Sequence, residues 1–169
     1  MIYPIVKFGD PVLEKPAATI TVFDDELRKL VEDMFESMYA AHGVGLAAPQ
    51  IGIGKRIAVI DISFKEDPNA KIVLINPEIV HTEGKLTASE GCLSLPEFRE
   101  NVTRPRKVTA RAQDLEGKTI EVTGEELLAR ALVHETDHLN GKLYINHISA
   151  LKRDLIKRKV RKLMKQGEW

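Results

Sequence analysis

The first regular pattern along the chain follows Asp24. Leu27, Leu30, Val31, Met34 and Met38 recur at helical spacing, and acidic Asp25 and Glu26 occupy the first turn, where carboxylates suit the positive end of a helix. Gly43 is the expected stop. A glycine-rich loop follows, Gly43-Val44-Gly45-Leu46-Ala47-Ala48-Pro49-Gln50, and then an apolar run over 57–60 that predicts a strand. Further strands are predicted at 72–75, 79–80, 108–112 and 119–122, punctuated by Asn-Pro, Glu-Gly and Gly-Lys turns. A second helix is expected to open near Thr123, because Thr123 and Glu126 stand three apart as in a capping box. Residues 125–139 then run without proline or glycine, and Gly141 lies just past their end. A third helix, over about 149–166, keeps Leu151, Leu155, Ile156, Val160 and Leu163 on one stripe and is otherwise heavily basic. Strands with short connections in the middle and helices near both ends predict an α+β fold. Largely antiparallel β-sheets should pack around the second helix, with the third closing the chain.

Composition narrows the function classes. A chain of 169 residues suits a single domain over 1–169. Lys+Arg and Asp+Glu balance at 25 each, so no global field points to DNA or a membrane as partner. The opening residues Met1-Ile2-Tyr3-Pro4-Ile5 lack the basic start and apolar core of a secretory signal, and no apolar run approaches the roughly 20 residues needed to span a bilayer. The one cysteine, Cys92, excludes an internal disulfide framework and suits a reducing compartment, so the expected location is the cytoplasm.

The richest stretch is His134-Glu135-Thr136-Asp137-His138 within the second helix. Histidines at i and i+4 stand one turn apart on one face, so both imidazoles can reach one metal ion. Glu135 projects beside them, where a carboxylate can take a proton from an attacking water. The plain alternative is a helix whose polar face happens to carry two histidines. A catalytic site normally has three protein ligands and one open position. Where one peptidase class places a third histidine, this chain has Tyr144, and the only glutamate beyond the helix is Glu168 near the C-terminus. Two candidates remain for the third ligand. One is His147, just past the helix. The other is Cys92 in Glu90-Gly91-Cys92-Leu93-Ser94, whose thiolate is a strong ligand that bound metal would keep deprotonated.

Three motifs therefore stand in order: Gly43-x-Gly45-Leu46-Ala47-Ala48-Pro49-Gln50, Glu90-Gly91-Cys92-Leu93-Ser94 and His134-Glu135-x-x-His138. Together they resemble the peptide deformylase family, through essentially the whole chain. The resemblance implies a metal-dependent hydrolase that releases formate from the N-terminal formyl-methionine of newly made polypeptides. It implies one divalent metal ion on Cys92, His134 and His138, most often Fe2+, with Zn2+, Ni2+ or Co2+ able to replace it. Glu135 matches the general base. Gln50 and the backbone N–H of Leu93 match the donors to the oxyanion, and Gly45 matches backbone that binds substrate. Val44, Leu127 and Ala131, with Ala88, would line the methionine pocket; core packing is the competing reading and shares most of these residues. Glu90 and Arg104 match a pair that braces the cysteine loop; the alternative is two solvated surface charges.

Two positions depart from the family pattern. Val133 stands where many members carry glutamine, and Arg130, apolar in some members, lies one turn before His134. A guanidinium there must reach solvent or a partner. Two other readings stay open: a different metallohydrolase, peptidase or amidase, with a His2Cys site, or a ribosome-binding module without catalysis. Eight lysines and arginines between Lys152 and Lys165 motivate the second and make the ribosome a candidate partner of the last helix.

Overall fold

The computed structural model describes residues 1–169. Helix α1 (Asp25–Ala40) starts where its sequence says it should: the Asp24 carboxylate accepts the Leu27 N–H at 3.0 Å. Its apolar face, Leu27, Val31, Met34, Phe35, Met38 and Tyr39, is buried. The stop differs from expectation. His42, not Gly43, takes the left-handed conformation (φ 59°), while the amides of His42 and Gly43 donate back to Tyr39 and Met38 carbonyls, both at 3.0 Å. Gly43 is small for another reason: a Cβ there would lie 2.7 Å from Leu93 Cδ1.

Seven strands follow: β1 (Gly45–Ala47), β2 (Ile57–Ile60), β3 (Ile72–Glu83), β4 (Leu86–Cys92), β5 (Leu95–Arg104), β6 (Lys107–Gln113) and β7 (Thr119–Glu125). Five form one antiparallel sheet in the order β1-β2-β3-β6-β7, and β4 and β5 pair separately as a hairpin. The two short strands expected at 72–75 and 79–80 are one strand. Its Asn-Pro step is an irregularity in register, not a turn; Asn76 sits at φ 52° and its amide ties Ile20 to Gln113. The β4–β5 hairpin is an element the hydrophobic pattern did not predict. Its strands alternate half-buried and exposed side chains rather than presenting an apolar run.

Helix α2 (Leu127–Leu139) begins later than expected. Thr123 does not cap it but pairs with Thr109 inside the β6–β7 ladder, and the strand continues to Glu125. A run of ladder hydrogen bonds outweighs one capping bond. The switch from strand to helix falls on Glu126, at φ 52°, whose carbonyl accepts the Arg130 N–H at 2.9 Å. As predicted, α2 is central. Ala129, Ala131 and Leu132 pack with Ile60, Leu74, Val108, Ala110 and Ala112 of the large sheet, and α1 covers a second cluster that includes Leu46, Ile57, Val59 and Ile75. Val133, the departure beside His134, packs on the first of these clusters.

Helix α3 (Ala150–Lys165) is capped by Ser149, whose hydroxyl accepts the Lys152 N–H at 3.2 Å. Its expected five-residue stripe is only partly used. Ile156 and Val160 are buried against Leu95, Val102, Tyr144 and Ile145, whereas Leu151 and Leu155 are exposed. No helix is long and apolar enough to cross a membrane.

Because Leu132 is fully buried between α2 and the sheet, Leu132→Ala should destabilise the protein by about 2–5 kcal/mol. Urea denaturation measures this. A loss well under about 1 kcal/mol would mean that the helix–sheet contact is not where the stability lies.

Candidate metal centre and active-site cleft

Cys92, His134 and His138 converge although they come from two separate elements. Cys92 ends β4, and the histidines lie one turn apart on α2. One donor atom from each lies within 4.8 Å of the others; Cys92 Sγ is 3.3 Å from His138 Nε2, which is 3.2 Å from His134 Nε2. Donors around one tetrahedral ion, with metal–nitrogen and metal–sulfur bonds of about 2.0–2.3 Å, stand roughly 3.3–3.6 Å apart. The spacing therefore fits a single metal ion. His147, the rival third ligand, is elsewhere: its Nε2 meets Asp137 Oδ2 at 2.8 Å, partly exposed.

The orientation of the His134 ring is set from behind, whereas His138 Nδ1 has no hydrogen-bond partner. His134 Nδ1 lies 2.7 Å from Glu90 Oε2, so its N–H donates to the carboxylate and Nε2 is turned toward the cluster. Glu90 is 5% exposed and also accepts from Arg104 at 3.1 and 2.7 Å and from Arg130 at 2.8 Å. Burial alone would raise its pKa, but hydrogen bonds from His134 and Arg104 outweigh it and hold the carboxyl well below the usual carboxylate range. Glu90 and Arg104 are thus a buried pair, not two solvated charges.

The metal-free charges of the two ligand histidines oppose each other. Burial disfavours imidazolium at His134, yet the charges of Glu135, Cys92 and Glu90 hold its pKa well above the ordinary value. At His138 burial, followed by the charge of His134, drives the pKa well below it. A divalent ion held between the rings would take the place of a proton there, with both Nε2 atoms deprotonated.

Beside the cluster, Glu135 is 4% exposed and its Oε1 has no hydrogen-bond partner. Burial pushes its carboxyl up to about 7. Gly45 makes room for it, since a Cβ there would lie 2.5 Å from Glu135 Oε2. Gln50 is fully buried; its Oε1 accepts the Ala47 N–H at 3.0 Å, which turns Nε2 toward Cys92 Sγ (3.5 Å) and Ser94 Oγ (3.3 Å). A cleft of about 510 Å³ opens onto this group. Its lining includes Val44, Gly45, Gln50, Cys92, Leu93, Leu127, Ala131, His134 and Glu135, so it gathers most of the candidates that the sequence named; His138 is buried and does not line it. Ala88 does not line it; its neighbours Ser89 and Glu90 do.

Sequence reasoning missed two parts of the site. Ser94 shares the Gln50 amide. A strut of residues 6–8 joins the two loops from below: the Val6 N–H donates to the Gln50 carbonyl at 2.7 Å and the Phe8 N–H to the Ser94 carbonyl at 2.8 Å. The strut's contacts are backbone to backbone, so no residue type marks them. Trp169 secures the strut by donating its indole N–H to the Phe8 carbonyl at 2.7 Å, and its ring meets Phe98 on the cleft wall.

A water-accessible cleft, a Cys-His-His cluster fit for one metal ion and a buried carboxylate beside it define a single-metal hydrolase. Comparison with known proteins then narrows the class. Residues 2–154 match the model of the family described as polypeptide deformylase. A peptide deformylase of Acidobacterium capsulatum is 64% identical over 169 residues, covering 100% of this chain and 99% of the relative. The crystal structure of a peptide deformylase from Legionella pneumophila superposes with a TM-score of 0.90 at 46% identity, covering 99% of this chain and 98% of that one. That of Thermotoga maritima gives 0.82 at 43% identity, covering 88% and 99%. The chain belongs to the polypeptide deformylase family, hydrolases that remove the formyl group from the N-termini of newly made polypeptides.

The Glu135 environment has a measurable consequence in the metal-free protein. The folded-state pKa, about 7, exceeds the ordinary 4.5. Between these values the folded chain holds a proton that the unfolded chain has lost, so this group's contribution to stability is full below about 4.5 and lost as pH rises through about 7. With the metal removed, wild type should lose stability relative to Glu135→Gln across that interval, by urea midpoints. A constant difference from pH 4.5 to 7.5 would show that Glu135 titrates normally.

Proposed function

We propose that residues 1–169 form one catalytic domain in which Cys92, His134 and His138 hold a ferrous ion and Glu135 is the general base of deformylation. The observation that carries this reading is the buried, unpartnered Glu135 Oε1 beside three converging ligand atoms. A divalent ion held there supplies a Lewis-acid centre that polarises the formyl carbonyl and acidifies water. Glu135 takes the proton of the attacking water and passes it to the amine nitrogen as the C–N bond breaks, so formate leaves and a free N-terminus remains. Gln50 Nε2–H and the Leu93 backbone N–H donate to the oxygen on which negative charge develops. A glutamine amide suits this place because it donates without a charge that would compete with the ion. Gly45 lets substrate backbone approach the carboxylate closely, while Val44, Leu127 and Ala131 form the wall for the methionine side chain.

The substrates are N-formyl-methionyl nascent peptides, and the working compartment is the cytoplasm where such peptides are made. The ligand set of one thiolate and two imidazoles accepts Fe2+, Zn2+, Ni2+ or Co2+, with availability deciding among them; anaerobic purification followed by elemental analysis identifies the native ion. Ribosome docking through α3 is part of the same reading. Its supporting features are the run of lysines and arginines and the outward Leu151 and Leu155. Replacing the exposed Lys159, Lys162 and Lys165 by Gln, which leaves Val160 and Trp169 in place, should abolish low-salt ribosome co-sedimentation and spare cleavage of short formyl peptides. Equal sedimentation of the variant would make α3 purely structural.

The direct test is formate release from formyl-Met-Ala, set against acetylated and unformylated peptides. Only the formyl peptide should turn over; cleavage of an unformylated peptide bond would favour a peptidase. Cys92→Ala should lose tight metal binding together with turnover. Glu135→Gln should keep the metal and lose at least about 10²-fold in kcat. Gln50→Leu should also keep the metal and lose roughly 10²–10³-fold. Any variant that turns over like wild type removes its residue from the mechanism.

A further inference from the structure

The three ligands belong to two pieces of structure that share no strand pairing. Cys92 is carried by the β4–β5 hairpin, outside the five-stranded sheet, whereas both histidines are carried by α2, which packs on that sheet. Something must fix the distance between hairpin and helix, because a shift of 1 Å would spoil the coordination sphere. Arg104 does only part of this, since it lies on β5 and its two bonds to Glu90 stay within the hairpin. It crosses to α2 once, at Asp137 Oδ2, 2.8 Å away.

Arg130 makes the larger crossing. It lies on α2 one turn before His134, is 7% exposed, and spreads its guanidinium over the hairpin. Nη1 donates to Glu90 Oε1 at 2.8 Å and to the Val102 carbonyl at 3.0 Å, and Nη2 donates to the Leu86 carbonyl at 2.8 Å. One side chain thus reaches the first residue of β4, the carboxylate two residues before Cys92, and β5 across the ladder. A buried guanidinium is costly unless its donors are met, and here a carboxylate and two carbonyls meet them with the planar fork that arginine has and lysine lacks.

We propose that Arg130 is a positioning residue: it clamps the Cys92 hairpin onto the two-histidine helix and so sets the spacing of the metal ligands. The proposal rests on Cys92, His134 and His138 being those ligands. Arg130 acts through Glu90, which in turn orients His134; it is not one of the three ligands, although it also borders the cleft.

Arg130→Met removes the fork while keeping a stem of similar length. In Co2+-loaded protein the clamp predicts release of the ion to a chelator about 10–100-fold faster than from wild type, with altered cobalt–thiolate and d–d absorption bands. In the metal-free protein, hydrogen exchange should accelerate in Leu86–Cys92 while α1 and β2 keep their protection. A merely structural arginine would lower the melting temperature and move neither the spectrum nor the strand-specific exchange. Should Arg130→Met fail to fold, Arg130→Lys carries the test, because an ammonium cannot span the three acceptors at once; it too should release cobalt faster. Wild-type spectrum and release rate in the folded variant overturn the proposal and leave the ligand assignment intact. Failure of wild type itself to take up Co2+ would overturn the ligand assignment and the proposal with it.

Discussion

The Glu90 carboxylate is the joint on which the centre turns. It is almost wholly buried on β4, and it accepts hydrogen bonds from His134 and Arg130 on α2 and from Arg104 on β5. An isolated buried carboxylate would take up a proton; this one remains an anion because two guanidiniums and an imidazole N–H surround it. The arrangement has direction. It fixes which nitrogen of His134 is protonated, brings Cys92 to the histidines, and leaves the other buried glutamate, Glu135, with no such partners. Two carboxylates lying close together therefore take opposite characters. Glu90 is locked as an anion and serves geometry, while Glu135 is desolvated, raised toward neutrality and available to move protons.

The rest of the fold serves to hold two loops against one helix. Helix α2 is packed on the large sheet, so the histidines stand on a helix anchored in the core. Gln50 is held in a short turn after β1, and Ser94 in the turn of the hairpin; the strut of residues 6–8 bonds to both. Trp169 and Phe98 link that strut to the cleft wall and to the end of α3. The two donors proposed for the oxyanion thus sit on loops whose separation is fixed by backbone hydrogen bonds.

What the sequence disclosed follows from the range of each interaction. The His134/His138 pair was legible because its geometry is local, one helical turn, and β2 was legible as a continuous apolar run. The start of α2 was misplaced because the local signal of Thr123 and Glu126 yielded to pairing of β7 with β6, which no local window contains. The β4–β5 hairpin escaped notice since its polar alternation resembles a loop. Arg130 stood out as a charge in an apolar setting, yet its partner lies 40 positions away in the chain. The ligand set and the roles of Gln50 and Leu93 came from the family resemblance; the residues themselves left Cys92 and His147 as rivals until the fold placed His147 on Asp137.

The account's central claim is that one ion, bound by Cys92, His134 and His138, is what makes Glu135 a productive base. Its most direct test is an anaerobic titration of the metal-free protein with Fe2+ or Co2+, following formate release from a formyl-methionyl peptide. The account predicts no release at the start, a linear rise, and a sharp plateau at one ion per chain. Turnover without added metal, or activity that keeps climbing through a second equivalent, would contradict it.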